Sequence, residues 1–272
     1  MSFSHSRPFI RADGVYMGFP FIAAYGAVTH NQTLLKEAYT QCKLYRNALL
    51  QPGPTGPLWA HIVEDNGTFI DPGLWGTGLC LLFSYVAADG VAQNTPFRIG
   101  NAWAALGMLR VQATLIKSSF ASTFSTEISD LSYWIKEILD GTFKALVRFS
   151  FSFSSRGGGV TNEKQLTRSQ TPQNLVPDYI QGGPTFGDAA SSAALASVAY
   201  RSAVLDPSLF GANYTDAADK IRVAVLQGVD DLGVISPLVD PLNWSRVGML
   251  STEGQSFGLM LIAAWSAWMQ YH

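Results

Sequence analysis

The chain has 272 residues, of which 47% are hydrophobic and 14% charged, and its formal net charge is −2. A chain of this length and composition can fold around a sizeable core, which excludes intrinsic disorder. The near-neutral charge offers no basic surface for nucleic acid, and two cysteines make neither a disulfide framework nor a metal site. The longest apolar runs, residues 79–88 and 258–269, are shorter than the roughly 20 residues that cross a bilayer.

The periodic signal along the chain is helical. Apolar residues first recur at steps of three and four from Leu35 to Leu49, marking one face of an amphipathic helix. Similar patterns predict five further helices, over residues 106–116, 128–143, 188–205, 215–229 and 252–271. No run of alternating residues is long enough to indicate a sheet. The sequence therefore predicts an all-α protein built from antiparallel helix pairs.

Two stretches interrupt this pattern. Residues 79–100 separate the tetrapeptide W-G-T-G, which begins at Trp75, from the tripeptide N-A-W, which ends at Trp103. Residues 147–170 are rich in Ser, Phe and Gly and have neither a helical nor a strand pattern. They are either long surface loops, which cost little free energy to close, or translated introns. We interpret both as retained introns, because their codons can encode splice signals and the first one divides a motif. Residues 1–272 are predicted to form a single domain, with these two stretches as insertions in it.

Four glycosylation sequons are present, although residues 2–11 contain no apolar signal core. The sequons begin at Asn31, Asn66, Asn213 and Asn243. We expect the intact gene product to be secreted, with its N-terminal region missing from this chain.

Several motifs, taken in order, resemble one enzyme family. They are R-A-D-G-V-Y-M-G-F-P-F-I-A-A-Y-G from Arg11, L-W-A-H-I-V from Leu58, and D-P-G-L-W-G-T-G joined to N-A-W-A-A-L-G-M-L-R-V. D-A-A-S-S-A-A-L-A from Asp188 and S-T-E-G-Q-S-F from Ser251 follow. In combination they are similar to fungal members of glycoside hydrolase family 105, the unsaturated rhamnogalacturonyl hydrolases.

The resemblance implies an (α/α)6 toroid of six α-hairpins with its site at the open end, here incomplete at the N-terminus. It also implies an enzyme of pectin degradation that uses no cofactor. Such enzymes release an unsaturated galacturonyl residue from rhamnogalacturonan fragments by hydrating its C4–C5 double bond. The paired-carboxylate geometry of other glycosidases then need not apply.

Asp13 matches the family's general acid/base, which protonates C4 and activates water for C5. The alternative is an aspartate that caps a helix or lies on the surface. His61 matches a histidine that contacts substrate or orients water, although a histidine beside Trp59 is also typical of a core. Asp188 and Glu253 are predicted at helix starts, where a carboxylate stabilises the helix without any catalytic role.

Aromatic and apolar side chains complete the predicted sugar site. Trp75 and Trp103 are candidates for stacking on sugar rings, and the alternative for both is a place in the wall of the toroid. Tyr16 and Met17 directly follow the predicted acid along the chain and are expected to line the pocket.

The chain departs from the family pattern at three points. Thr77 stands where bacterial relatives have an arginine, and Arg11 stands where they have a tryptophan. A second aspartate of the family, from an earlier hairpin, has no counterpart. Two other functions therefore stay open: a truncated helical protein that binds sugar or a partner without catalysis, and a toroid hydrolase acting on unsaturated glucuronyl ends.

Overall fold

The computed structural model describes residues 9–53, 56–71, 100–154, 174–178, 186–240 and 243–271. Its elements, in chain order, are β1 Phe9–Arg11, α1 Gly14–Met17, α2 Phe19–Val28, α3 Gln32–Leu49, β2 Leu50–Gly53, β3 Gly56–Trp59, β4 Ile62–Glu64, β5 Phe69–Asp71, α4 Asn101–Lys117, a 3₁₀ turn at Ala121–Phe124, α5 Ser125–Ser154, α6 Ala189–Leu205, α7 Ala212–Gln227, β6 Leu238–Asp240, β7 Asn243–Gly248 and α8 Thr252–Tyr271.

The helices form two layers. In the inner layer α2, α4, α6 and α8 pack side by side in that order. In the outer layer α3, α5 and α7 pack respectively on α2, α4 and α6, the inner helices that precede them. Inner and outer helices thus alternate along the chain as successive antiparallel hairpins, which is the predicted architecture.

Charge distinguishes the two layers. The outer helix α3 has charged residues on its solvent face and buries the opposite face, as the periodicity predicted. The inner helix α2 has no charged residue, and α8 has only Glu253. Helices that are apolar on most sides are suited to burial between neighbours. Because α2 and α8 lie at the two ends of the row, each leaves large side chains exposed, among them Phe21, Tyr25 and Leu259.

Apart from β1, which precedes α1, the short strands lie in the connections that lead from outer to inner helices. β1, β4 and β5 form one antiparallel sheet, while β2 with β3 and β6 with β7 form two hairpins. No alternating pattern in the sequence predicted these strands. These strands have only three to six residues, too few for an alternating pattern to be recognised.

A correction concerns residues 147–170. Helix α5 continues through Ser154, so the prediction that this stretch has no helical order was wrong for residues 147–154. Once a helix has formed, extending it costs little, and Ser and Phe have only middling helix propensities that do not stop it. Residues 155–170 lie outside the described ranges, as do residues 79–99 of the other interruption. Over the ranges that the structure covers, no helix is both long and apolar enough to traverse a bilayer.

Candidate functional site

The candidate site lies at the end of the molecule where the inner helices begin. Trp103, in the first turn of α4, makes an edge-to-face contact with Tyr16 of α1 (ring centroids 4.8 Å apart). It makes another with Phe257 of α8, at 4.7 Å. Three sequence blocks that are far apart along the chain therefore meet at the N-terminal ends of the inner helices. We call this face of the molecule the open end.

Close backbone packing holds α1 against α4. A methyl group at Gly107 of α4 would lie 2.5 Å from the Val15 carbonyl oxygen, closer than atoms normally approach. Only a residue without a side chain lets the two helices meet at this distance. Asp13 immediately precedes α1, so this contact helps to fix its place at the open end.

Asp13 is buried, with only 6% of its surface exposed. It stands at the N-cap position of α1, but its carboxylate makes no capping hydrogen bond. Its Oδ1 atom is enclosed, accepts no hydrogen bond within the described ranges and lies 3.4 Å from Nε of Arg11. Neither alternative from the sequence, a helix cap or a surface aspartate, fits these observations. A buried carboxylate oxygen without a hydrogen bond is uncommon, and a catalytic role is one of the explanations for it.

Asp188 provides the contrast. Its carboxylate caps α6 by accepting hydrogen bonds from the backbone N–H groups of Ala190 (3.4 Å) and Ser191 (2.8 Å). It also accepts one from Val239 N–H at 3.4 Å, which ties the α7–α8 connection to α6. The structural role predicted for Asp188 is confirmed. Glu253 lies in the first turn of α8, as predicted, where its Oε2 accepts a hydrogen bond from the Ser251 hydroxyl.

His61 is held next to Ala12, the residue before Asp13, because the backbones of their segments pair. The His61 carbonyl accepts a hydrogen bond from Ala12 N–H (3.0 Å), which continues the β1–β4 pairing of Arg11 with Ile62. The imidazole is completely enclosed. Burial, and secondly the positive charge of Arg11, hold the pKa of His61 well below its ordinary value of 6.5. At neutral pH the ring is therefore uncharged.

This depressed pKa predicts how stability depends on pH. Above pH 6.5 His61 is neutral in both the folded and the unfolded chain. As the pH falls below that value, the unfolded chain takes up a proton that the folded one excludes, so the free energy of unfolding decreases down to the folded-state pKa. We expect the melting temperature to fall between pH 7 and 5 more steeply in the wild type than in His61→Gln. Equal slopes for the two proteins would show that His61 is not responsible; His30→Gln, which removes an exposed histidine, is the matched control.

Tyr45 is a site neighbour that the sequence assigned only to an apolar helix face. Its ring lies against Gly14, where an added methyl group would meet the hydroxyl oxygen at 3.2 Å. Burial, and then the charge of Asp13, raise the pKa of Tyr45. The phenol therefore stays protonated beside the carboxylate. Nothing in the local sequence distinguishes Tyr45 from the other residues of its helix face.

Asn101 is a second residue that the sequence did not single out. Its buried amide forms two hydrogen bonds with the backbone of Trp59: Oδ1 accepts from Trp59 N–H (2.9 Å) and Nδ2 donates to the Trp59 carbonyl (3.1 Å). We call this pair of hydrogen bonds the clamp. The clamp fixes the segment that leads to His61 against the start of α4. It connects the L-W-A-H block directly to the N-A-W block.

The remaining predicted site residues differ in exposure. Trp103 is buried between Tyr16 and Phe257, which fits the alternative of a wall position. Tyr16 is half-buried, with the Arg110 guanidinium 5.1 Å from its ring centroid, and Met17 is 60% exposed. Trp75 lies outside the described residues. Within the described ranges, no three His, Cys, Asp or Glu side chains gather as a metal site would require.

Comparison with known proteins gives the fold. No family model and no curated protein matches the sequence. Among solved structures, possible members of glycoside hydrolase family 105 from Salmonella enterica and Klebsiella pneumoniae match 97% of this chain at 14% identity, with TM-scores of 0.67 and 0.68. A family 88 glycosyl hydrolase from Bacteroides vulgatus matches 95% of it at 11% identity, with a TM-score of 0.59. The fold is the six-hairpin toroid.

The predicted fold class is thus confirmed. The chain spans 57% of the Salmonella and Klebsiella proteins and 62% of the Bacteroides protein, which is less than two thirds of each. At identities this low the likeness concerns the fold, and activity has to be argued from the residues at the open end.

Proposed function

We propose that this chain carries the acid/base region of a glycoside hydrolase that removes unsaturated galacturonyl residues from rhamnogalacturonan oligosaccharides. The observation that carries the proposal is the state of Asp13. This carboxylate is buried at the open end, does not cap its helix, and lies beside Arg11 and Tyr45. The likeness in fold to family 105 structures supports the same reaction class.

In the proposed reaction, Asp13 delivers a proton to C4 of the unsaturated sugar and assists a water molecule that adds to C5. The double bond is replaced by a C4–H bond and a C5–OH group, which makes C5 a hemiketal. Opening of the C5–O ring bond leaves a ketone at C5 and a hemiacetal at C1. The hemiacetal then collapses to an aldehyde and releases the aglycone as an alcohol. A single carboxyl group suffices for both proton transfers.

The other residues have supporting roles in this proposal. His61, kept neutral by burial, orients water or contacts the sugar. Tyr16 and Met17 line the pocket, and Trp75 provides aromatic surface for the ring faces. The buried Trp103 supports Tyr16 from its position in the wall. No cofactor takes part, and the secreted location expected from the sequence would expose the enzyme to pectin fragments.

A second candidate substrate is an unsaturated glucuronyl end. Structures of both family 105 and family 88 share the fold, so the fold by itself does not select the uronic acid. The specificity then depends on side chains at the open end.

The test is to incubate the chain with unsaturated galacturonyl-rhamnose and, separately, with an unsaturated glucuronyl disaccharide. Hydration removes the ultraviolet absorbance of the conjugated double bond, and in D₂O it places deuterium at C4 of the product. We expect absorbance loss and C4 deuteration with the galacturonyl substrate. Loss with the glucuronyl substrate alone would favour the second candidate. Binding of either sugar without absorbance loss would identify a non-catalytic sugar-binding protein.

A further inference from the structure

The substrate of the proposed reaction has a carboxylate on C5, next to the C4 atom that Asp13 is to protonate. A site that selects a uronic acid over a neutral sugar needs a cation within reach of this group. The inference that follows rests on the proposed function, because it takes Asp13 as the acid. The cation that the structure places beside Asp13 is Arg11, with its Nε atom 3.4 Å from Oδ1 of the carboxylate.

Arg11 is firmly positioned. It is the last residue of β1 and pairs with Ile62 of β4, and its guanidinium carbon lies 5.9 Å from the ring centroid of Phe9. Its side chain is 15% exposed, so most of it is shielded from water. A charge held in such a setting interacts more strongly with an incoming anion than one on a solvated surface does.

The charges around Arg11 also suit this role. His61 lies close enough for the Arg11 charge to act on it, and its buried ring is neutral, so it does not repel the guanidinium. Tyr45 faces Asp13 as an uncharged phenol. The Asp13 carboxylate lies 3.4 Å from Nε, on one side of a planar guanidinium group that carries five N–H donors.

We propose that Arg11 is the specificity-determining residue that recognises the C5 carboxylate of the substrate. The substrate carboxylate is two bonds away from C4, the carbon that receives the proton. A guanidinium adjacent to Asp13 can therefore bind this carboxylate while Asp13 protonates C4. The same contact would orient C4 toward Asp13. Because the carboxylate keeps its charge throughout hydration, Arg11 binds the substrate and the transition state about equally, and its loss affects KM more than kcat.

The experiment compares the free acid of unsaturated galacturonyl-rhamnose with its methyl ester, which has the same double bond without the charge. Wild type, Arg11→Gln and Arg11→Lys are assayed on both substrates. Arg222→Gln is the matched control, because Arg222 also pairs with an aspartate (Asp219, 3.0 Å) and has an 18% exposed side chain, but lies on outer helix α7. Thermal melts confirm that each variant folds.

We expect wild type and Arg222→Gln to favour the acid. Arg11→Gln should raise KM for the acid by about 10- to 100-fold while leaving KM for the ester nearly unchanged, and Arg11→Lys should fall between. Equal losses on both substrates would show that Arg11 acts only through Asp13 and would overturn the proposal. An unchanged preference for the acid in Arg11→Gln would overturn it as well.

Direct binding separates this inference from the proposed function. If the wild type hydrolyses neither substrate, the proposed function fails, and calorimetric titration with the same acid and ester decides the role of Arg11. Tighter binding of the acid in wild type, lost in Arg11→Gln, would support carboxylate recognition without hydrolysis. Equal binding of acid and ester by the wild type, or binding of neither, would overturn it.

Discussion

Asp13→Asn is expected to lower kcat on unsaturated galacturonyl-rhamnose by about 10²- to 10⁴-fold, the range typical of a lost general acid/base. The amide has nearly the same shape but cannot deliver a proton to C4. Because the group acts mainly in the transition state, KM should change little. The measurement is the steady-state rate of absorbance loss, with circular dichroism to verify the helical content.

The control for this variant is Asp216→Asn. Asp216 is an exposed aspartate near the start of outer helix α7, so its replacement makes the same chemical change away from the open end. It should leave kcat and KM unchanged. Near-normal turnover in Asp13→Asn would remove Asp13 from the mechanism, whereas loss of helical signal would show that its pairing with Arg11 is needed for folding.

Local patterns were sufficient to predict helices α3 to α8, whereas α2, which is apolar at nearly every position, was not among the predicted helices. The face from Leu35 to Leu49 is buried as predicted, and Asn31 caps the helix that contains it. The predicted start of α7, at Thr215, lies three residues beyond its observed start at Ala212. In the structure the Thr215 hydroxyl donates to the Ala212 carbonyl inside the helix, while Gly211, at the true N-cap, has no side chain to reveal the boundary.

The features that organise the candidate site are long-range, which is why the sequence did not reveal them. Arg11 was recognised only as a departure from a family pattern, and its contact with Asp13 depends on how β1 turns into α1. Tyr45 reaches Gly14 from the outer helix α3. The N-A-W block was interpreted through its tryptophan, but Asn101 makes the connection to the L-W-A-H block. A helix face can be inferred from spacing, whereas a contact between distant segments requires the fold.

Asn101→Ala is expected to lower the free energy of unfolding by about 2 to 5 kcal/mol. The substitution removes both hydrogen bonds to the Trp59 backbone and leaves an N–H and a carbonyl group unsatisfied in a residue that is fully buried. Urea unfolding followed by tryptophan fluorescence measures the change. The dependence of the free energy on urea should keep its slope, because the surface exposed on unfolding is nearly unchanged.

Asn31→Ala separates the effect of burial from the loss of two hydrogen bonds. Asn31 also accepts two hydrogen bonds, from Thr33 N–H and Leu34 N–H, but it does so at the exposed start of α3. Water can replace the Asn31 side chain there, so Asn31→Ala should lower the free energy of unfolding by about 1 kcal/mol.

Asn101→Asp tests the geometry of the clamp, because a carboxylate can accept from Trp59 N–H but cannot donate to the Trp59 carbonyl. We expect Asn101→Asp to be destabilised well beyond Asn31→Ala. If both Asn101 variants cost no more than Asn31→Ala, the clamp contributes little to stability, and other contacts, the β1–β4 pairing among them, hold His61 in place.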